Sequence, residues 1–130
     1  MKAEPSDLWD RAVRALRTAE TLLPLDPDAT ASRAYYAAFY AVSALFALEE
    51  KTFSKHAAVE SAVHRDLVKT RLWPVARGQD YSLLFQLRST GDYGGSEHVS
   101  KKEAGEALEA ARRILQIVQD ANPDFTKPDR

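Results

Sequence analysis

Residues 34–48 read AYYAAFYAVSALFAL, and this stretch decides the fold because a helix formed by it is apolar around nearly its whole circumference. Such a helix is buried on most of its sides. The stretch is shorter than the roughly 20 residues needed to cross a bilayer, carries tyrosines, and ends in Glu49-Glu50-Lys51. We therefore expect a core or interface helix and no membrane anchor. No signal peptide precedes it, which predicts a cytoplasmic protein.

Helical spacing of apolar residues continues on both sides of this stretch, with no alternating β-pattern. The sequence predicts an all-α domain of five helices over residues 1–122, followed by a polar, loose tail over residues 123–130. The first helix is predicted to start near Ser6 or Asp7 and to stop at Pro24, and the second to start at Asp26-Pro27. Ser54 is predicted to cap the third helix, and loops are predicted at 77–79 and 91–95. A capping box at Ser100–Glu103 begins the last helix, which stops at Asn122-Pro123.

Composition excludes several kinds of protein. The chain has 130 residues, no cysteine and a formal net charge of −1. It therefore has no disulfide framework or thiolate metal site, and it does not coat nucleic acid by bulk charge. The three histidines are scattered, and no phosphate loop, dinucleotide fingerprint or metal-ligand spacing is present. We expect no cofactor and no metal.

The charge is nevertheless uneven along the chain. Residues 51–77 hold six basic and two acidic side chains, a local net charge of +4 that the acidic flanks hide. Basic residues interleaved with aromatic ones are typical of grooves that bind single-stranded nucleic acid. Lys55, Arg65 and Lys69 are accordingly candidate RNA-binding residues. The alternative is an ordinary solvated helix face beside acidic neighbours.

Five short motifs then point to a family. In order along the chain they are SRAYYAAFY (32–40), FSKH (53–56), VKT (68–70), LRSTGDY (87–93) and VSKKEA (99–104). Together they resemble the small standalone prokaryotic branch of the HEPN domains. The resemblance implies an up-and-down helical bundle that forms a two-fold homodimer. It also implies an RNA-directed function, since many HEPN domains are metal-independent ribonucleases and toxins of toxin–antitoxin systems.

The family signature is an arginine followed, after four to six residues, by a histidine, and this chain departs from it. Arg88 fits the arginine, but Tyr93 stands where the histidine is expected, and a tyrosine with a pKa of about 10 is a poor base. His98, ten residues after Arg88, and His56, beside a basic residue, are the other candidates for proton transfer. Asp92 is the fifth candidate catalytic residue, although its spacing from Arg88 equally suits a structural ion pair.

Two classes of function remain open from the sequence. The first is a ribonuclease toxin, or a relative that binds RNA without cutting it. The second is a helical partner module of a small nucleotidyltransferase, which would adenylylate Tyr93. The aromatic second helix, with Tyr35, Tyr36, Phe39 and Tyr40, is expected to supply core and homodimer contacts, and an inactive dimeric scaffold is a further alternative.

Overall fold

The computed structural model describes residues 4–126, and every regular element in that range is helical. This confirms the all-α class and the five helices predicted from the sequence. The helices are α1 (Pro5–Leu22), α2 (Pro27–Ala47), α3 (His56–Ala62, continuing as a π-helix over Val63–Val68), α4 (Val75–Tyr93) and α5 (Lys101–Ala121). No helix in the described range is both long and apolar enough to span a membrane.

Helix α2 is the centre of the bundle and packs against α1, α4 and α5. The short link over residues 23–26 makes α1 and α2 antiparallel neighbours. Small side chains let the other helices approach α2 closely, while large ones fill the remaining space. Its fully buried alanines are Ala31, Ala34, Ala37, Ala38, Ala41 and Ala44, and Tyr35 and Phe46 are its large buried side chains.

The helix starts follow capping chemistry at two of the four predicted places. The predicted cap at Ser6 or Asp7 is wrong, because α1 starts at Pro5 without a side-chain cap. The carboxylate of Asp26 accepts a hydrogen bond from the Ala29 N–H at 3.1 Å. Ser100 and Glu103 form the reciprocal capping box that the sequence predicts. The predicted cap at Ser54 is wrong, because α3 starts at His56 without a side-chain cap. The start of α3 instead coincides with the packing of the His56 ring on α2.

Helix α4 is longer than predicted at both ends, since both predicted loops contain glycines that are helical. A Cβ at Gly78 would lie 2.8 Å from the Val68 side chain, and a Cβ at Gly91 would lie 2.8 Å from the Asp28 carbonyl oxygen. These glycines therefore allow close packing of α4 against its neighbours. The irregular segment begins only after Tyr93, and within it Gly95 has a φ of 63°.

The chain beyond α5 packs back onto the start of the bundle. Phe125 is buried and stacks on Trp9 with a centroid distance of 5.3 Å, and the Trp9 indole donates a hydrogen bond to the Thr126 carbonyl at 2.8 Å. The expectation of a loose tail is therefore wrong as far as Thr126. Residues 127–130 lie outside the described part of the chain, and the boundary at residue 122 stays a prediction.

Candidate functional site

Arg88, in the last turns of α4, is a cation buried without full pairing. The residue is 8% exposed, and its Nε is buried without a hydrogen-bond partner in the described part of the chain. Its guanidinium carbon lies 4.9 Å from the ring centre of Tyr35 and 5.8 Å from those of Phe85 and Tyr93. A ring face attracts a cation without accepting a hydrogen bond in the plane of its N–H groups. A buried cation with an unpartnered Nε is suited to holding an anion.

Asp92 only partly neutralises this cation. Its Oδ2 lies 3.9 Å from the Arg88 Nη1, which is too long for a hydrogen bond. The same oxygen accepts a hydrogen bond from the Ser32 hydroxyl at 3.4 Å, which ties the end of α4 to α2. The i,i+4 pair anticipated from the sequence is therefore present, but it is a loose one.

His56 reaches the same place from the start of α3. Its Nδ1 lies 2.7 Å from the hydroxyl of Tyr35, in a hydrogen bond whose direction depends on the histidine tautomer. Its ring packs 4.5 Å from Phe39 and 5.7 Å from Tyr36, measured between centroids. The Nε2 has no hydrogen-bond partner among residues 4–126. The imidazole is thus fixed through its Nδ1, while its Nε2 can contact a ligand.

Burial and charge keep both members of this hydrogen bond neutral near pH 7. Burial, followed by the positive charge of Arg88, lowers the pKa of His56 below its ordinary value. Burial raises the pKa of Tyr35, which is fully enclosed, against a smaller lowering contribution from its neighbours Tyr81 and Arg88. An imidazole that is neutral near pH 7 can accept a proton.

His98 is engaged elsewhere. Its Nδ1 donates a hydrogen bond to the Asp28 Oδ2 at 2.6 Å, while the side chain stays 68% exposed. The other oxygen of Asp28 accepts from the Val99 N–H at 2.7 Å. These contacts anchor the irregular segment before α5 to the start of α2. The structure therefore gives His98 an anchoring contact and no bond to Arg88 or Asp92.

Tyr93 ends α4 with its side chain in solvent. It is 76% exposed, and its ring centre lies 5.8 Å from the Arg88 guanidinium carbon. The structure gives its hydroxyl no hydrogen-bond partner within residues 4–126. A tyrosine in this position borders the Arg88 group and is accessible to a second protein.

The three candidate RNA-binding residues do not form one cluster. Lys55 directly precedes His56 and is exposed. Arg65 and Lys69 follow nine and thirteen residues after His56, within and just beyond the π-helical stretch. The guanidinium of Arg65 donates to both carboxylate oxygens of Asp66, at 2.8 and 2.9 Å. Of the three, Lys55 is the one beside the site.

We define the Arg88 site as Ser32, Tyr35, His56, Arg88 and Asp92. It joins α2, α3 and α4 and combines a partly free cation with a neutral imidazole. That pair can bind a phosphate and move a proton. Within the described residues, no three His, Asp or Glu side chains are grouped to hold a metal ion.

Sequence reasoning missed the roles of Ser32 and Tyr35, which it placed in the family motif and the core. Both lie on one face of α2, three residues apart, directly opposite the end of α4. A polar side chain at that spacing in an otherwise apolar helix is the signal that points to them.

Comparison with known proteins agrees with this fold. Residues 5–121 match the family described as HEPN domain. A UPF0332 protein of Thermotoga maritima is 32% identical over 123 residues, covering 93% of each chain. A Methanocaldococcus jannaschii protein named "Putative toxin MJ0142" is 30% identical over 104 residues, covering 79% of this chain and 71% of its own. The crystal structure of TT1696 from Thermus thermophilus has the same fold, with a TM-score of 0.75 at 21% identity, covering 89% of this chain and 96% of its own.

Proposed function

Because this chain belongs to the HEPN domain family, we propose that it is an RNA-directed toxin that cleaves single-stranded RNA at the Arg88 site without a metal. The relative named "Putative toxin MJ0142" supports the toxin role in this proposal. The residues of the Arg88 site support the proposed cleavage of RNA. Its place of action in this proposal is the cytoplasm.

The observation that carries the proposal is the buried Arg88 beside the hydrogen-bonded His56. A buried cation with an unpaired Nε is costly unless an anion completes it. A phosphodiester supplies that anion, since guanidinium groups bind phosphate oxygens in a bidentate manner. His56 packs against the same Tyr35 ring, with 5.6 Å between ring centroids, and its Nε2 is unpaired among the described residues.

The proposed step is an in-line attack within the RNA. The 2′-hydroxyl oxygen forms a bond to the adjacent phosphorus, and the bond from phosphorus to the 5′-oxygen breaks. The hydroxyl proton goes to Nε2 of His56, in the tautomer that carries its own proton on Nδ1, and the leaving 5′-oxygen takes a proton from water. Arg88 stabilises the extra charge on the phosphate oxygens. The products are a 2′,3′-cyclic phosphate and a 5′-hydroxyl end.

The test is cleavage of a labelled single-stranded RNA in the presence of a chelator. Arg88→Gln and His56→Gln should each slow cleavage at least about 100-fold, the usual cost of losing a charge stabiliser or a proton-transfer group. Two matched controls lie outside the site. Arg112 pairs with Glu20 across α1 and α5, and His64 bonds to Ser82, so Arg112→Gln and His64→Gln should cut at the wild-type rate.

The outcomes separate the alternatives left open by the sequence. Binding of RNA without cleavage would identify a relative that has lost its catalysis. Neither binding nor cleavage at low salt would overturn the RNA-directed function. Cleavage that disappears with the chelator would overturn the metal-free mechanism.

A homodimer is part of the proposal. Ten of the 21 residues of α2 are buried within one chain, and its partly exposed residues form a stripe that includes the aromatic Phe39. Phe39 and Phe53 line an apolar groove at one side of this stripe, which suits a second copy of the chain. A dimer mass by light scattering at micromolar concentration supports this, and a monomer mass contradicts it.

A second candidate function is favoured by the exposure of Tyr93. In this version the chain is the partner of a small nucleotidyltransferase. The Tyr93 hydroxyl oxygen attacks the α-phosphorus of ATP, the phenolic proton goes to a base, and pyrophosphate leaves. Co-expression with the adjacent gene product, followed by intact mass, should show an adenylyl adduct that Tyr93→Phe abolishes. An unmodified chain that forms no complex would contradict it.

A further inference from the structure

A second charged surface lies between α1 and α2, outside the Arg88 site. We call it the arginine groove, and its volume is about 490 Å³. Its lining includes Asp7, Asp10, Arg11, Arg14, Arg33 and Tyr40. The groove is thus lined mainly by charged side chains, and three of them are arginines.

The arginines of this groove keep their hydrogen-bond donors free. Among residues 4–126, no carboxylate lies within ion-pair distance of Arg11, Arg14 or Arg33, although Asp7 and Asp10 line the same groove. The guanidinium carbon of Arg33 lies 4.7 Å from the Tyr36 ring centre.

Tyrosine rings support two of these arginines. Besides the Arg33–Tyr36 contact, the Arg11 guanidinium carbon lies 6.0 Å from the Tyr40 ring centre. A guanidinium on a ring is attracted through its face, so the N–H groups at its edge still point to a ligand. These positions are suited to phosphate oxygens.

The groove borders the Arg88 site through the ring of Tyr36, which contacts both Arg33 and His56. Arg33 directly follows Ser32, which bonds to Asp92, and the ring of Tyr36 packs 5.7 Å from that of His56. From Arg33 to Tyr40 the groove follows two turns of α2, about 10 Å. Because α1 and α2 are antiparallel, the acidic residues of α1 lie toward the end farther from Arg33.

We propose that the arginine groove binds the sugar–phosphate backbone of single-stranded RNA beside the bond that is cut. This rests on the proposed function and adds to it a binding site for the flanking nucleotides. Arginines contact phosphates, and the tyrosine rings hold two of the guanidinium groups in place, which suits a groove that follows a nucleic-acid backbone. Its position beside a phosphate-binding site favours RNA over an acidic peptide.

The experiment measures binding of a fluorescent single-stranded RNA of about twelve nucleotides by anisotropy. His56→Gln is used as the background, so that the RNA is not consumed. Adding R11Q/R14Q should weaken binding about tenfold or more and reduce the slope of log K against log salt by about 1.4, since each phosphate contact contributes roughly 0.7. The matched control is K101Q/K102Q, which removes the same charge from exposed positions at the start of α5 and should bind within about twofold of the background.

Each result decides something different. If the groove variant and the control bind RNA with equal affinity, the proposal that the arginine groove binds RNA is wrong, even where the wild type cleaves RNA. Groove-dependent binding by a protein that never cleaves supports the groove and overturns the ribonuclease. Preference for a polyglutamate peptide over the RNA overturns the assignment of the ligand. A wild type that neither binds nor cuts RNA overturns both proposals. Matching circular dichroism spectra exclude unfolding as the cause.

Discussion

The Tyr35 hydroxyl and the His56 Nδ1 are 2.7 Å apart, and this bond connects the interior of the bundle to its surface. Tyr35 is fully buried in α2, whereas His56 is partly exposed at the start of α3. The protein thus orients this imidazole from its buried central helix. A loop histidine such as His98 has no comparable support on its ring from aromatic neighbours.

The titration of His56 should be shifted toward acid. Burial and the charge of Arg88 lower its pKa, so the neutral form persists at pH values below about 6.5. The His56 C2 proton, followed by NMR across pH 4–8, should titrate below the midpoint of a free histidine. Arg88→Gln removes the second cause and should move the midpoint upward. A midpoint at or above the ordinary value would contradict the site's electrostatics.

Removing the Tyr35 hydroxyl should impair orientation and spare binding. Tyr35→Phe keeps the buried ring but deletes the bond to His56, so we expect kcat to fall about tenfold while KM changes less than about twofold. Cleavage kinetics measure this split, and ¹⁵N shifts of the His56 ring should report a mixed tautomer. A change in KM alone would show that Tyr35 serves binding and not the positioning of His56.

Asp28 should make stability depend on pH in the acid range. The Val99 N–H and then His98 lower the pKa of its carboxyl group, so its contribution is present above the ordinary value of 3.8 and is lost as the pH falls through the folded value. Asp28→Asn should lower the free energy of unfolding at pH 7 by about 1–2 kcal/mol. Urea titrations between pH 3 and 7 measure both effects.

The control for that experiment is Asp7→Asn, at an exposed position in the first turn of α1. It should keep the acid dependence of the wild type. An Asp28→Asn protein with the same pH dependence as the wild type would show that the contacts at the start of α2 do not stabilise the fold.

Two glycine-to-alanine substitutions should change the stability of the fold in opposite directions. A Cβ at Gly91 meets the Asp28 backbone at 2.8 Å, so Gly91→Ala should destabilise by about 1 kcal/mol or more despite its better helix propensity. A Cβ at Gly105, inside α5, meets nothing within 4 Å, so Gly105→Ala should stabilise by about 0.5–1 kcal/mol. Thermal unfolding compares them directly. Equal effects would mean that α4 does not pack tightly on α2.

The helices α1, α2 and α5 could be predicted because their own residues specify them. Apolar spacing, the Asp26 cap and the Ser100 capping box are all local signals. The limits of α4 could not be predicted in the same way. Its glycines follow the rule for loops, but Gly78 and Gly91 serve contacts with residues distant in the sequence.

The site was predictable in its members more than in its arrangement. Arg88, Asp92 and His56 are visible as chemistry-bearing residues, and the structure brings them into one neighbourhood. Their connection through Tyr35 depends on how α3 docks on α2, which no local pattern reports. The arginine groove was hidden for the same reason, since its residues come from two helices of an acidic segment.

The stacking of Trp9 on Phe125 means that the helices do not have to be synthesised in their present order. The two ends of the described chain already meet at this contact. A circular permutant that joins them with a short glycine linker, and opens the chain in the irregular segment between α4 and α5, is expected to keep the five helices and their packing. Connectivity and architecture are therefore separable in this bundle.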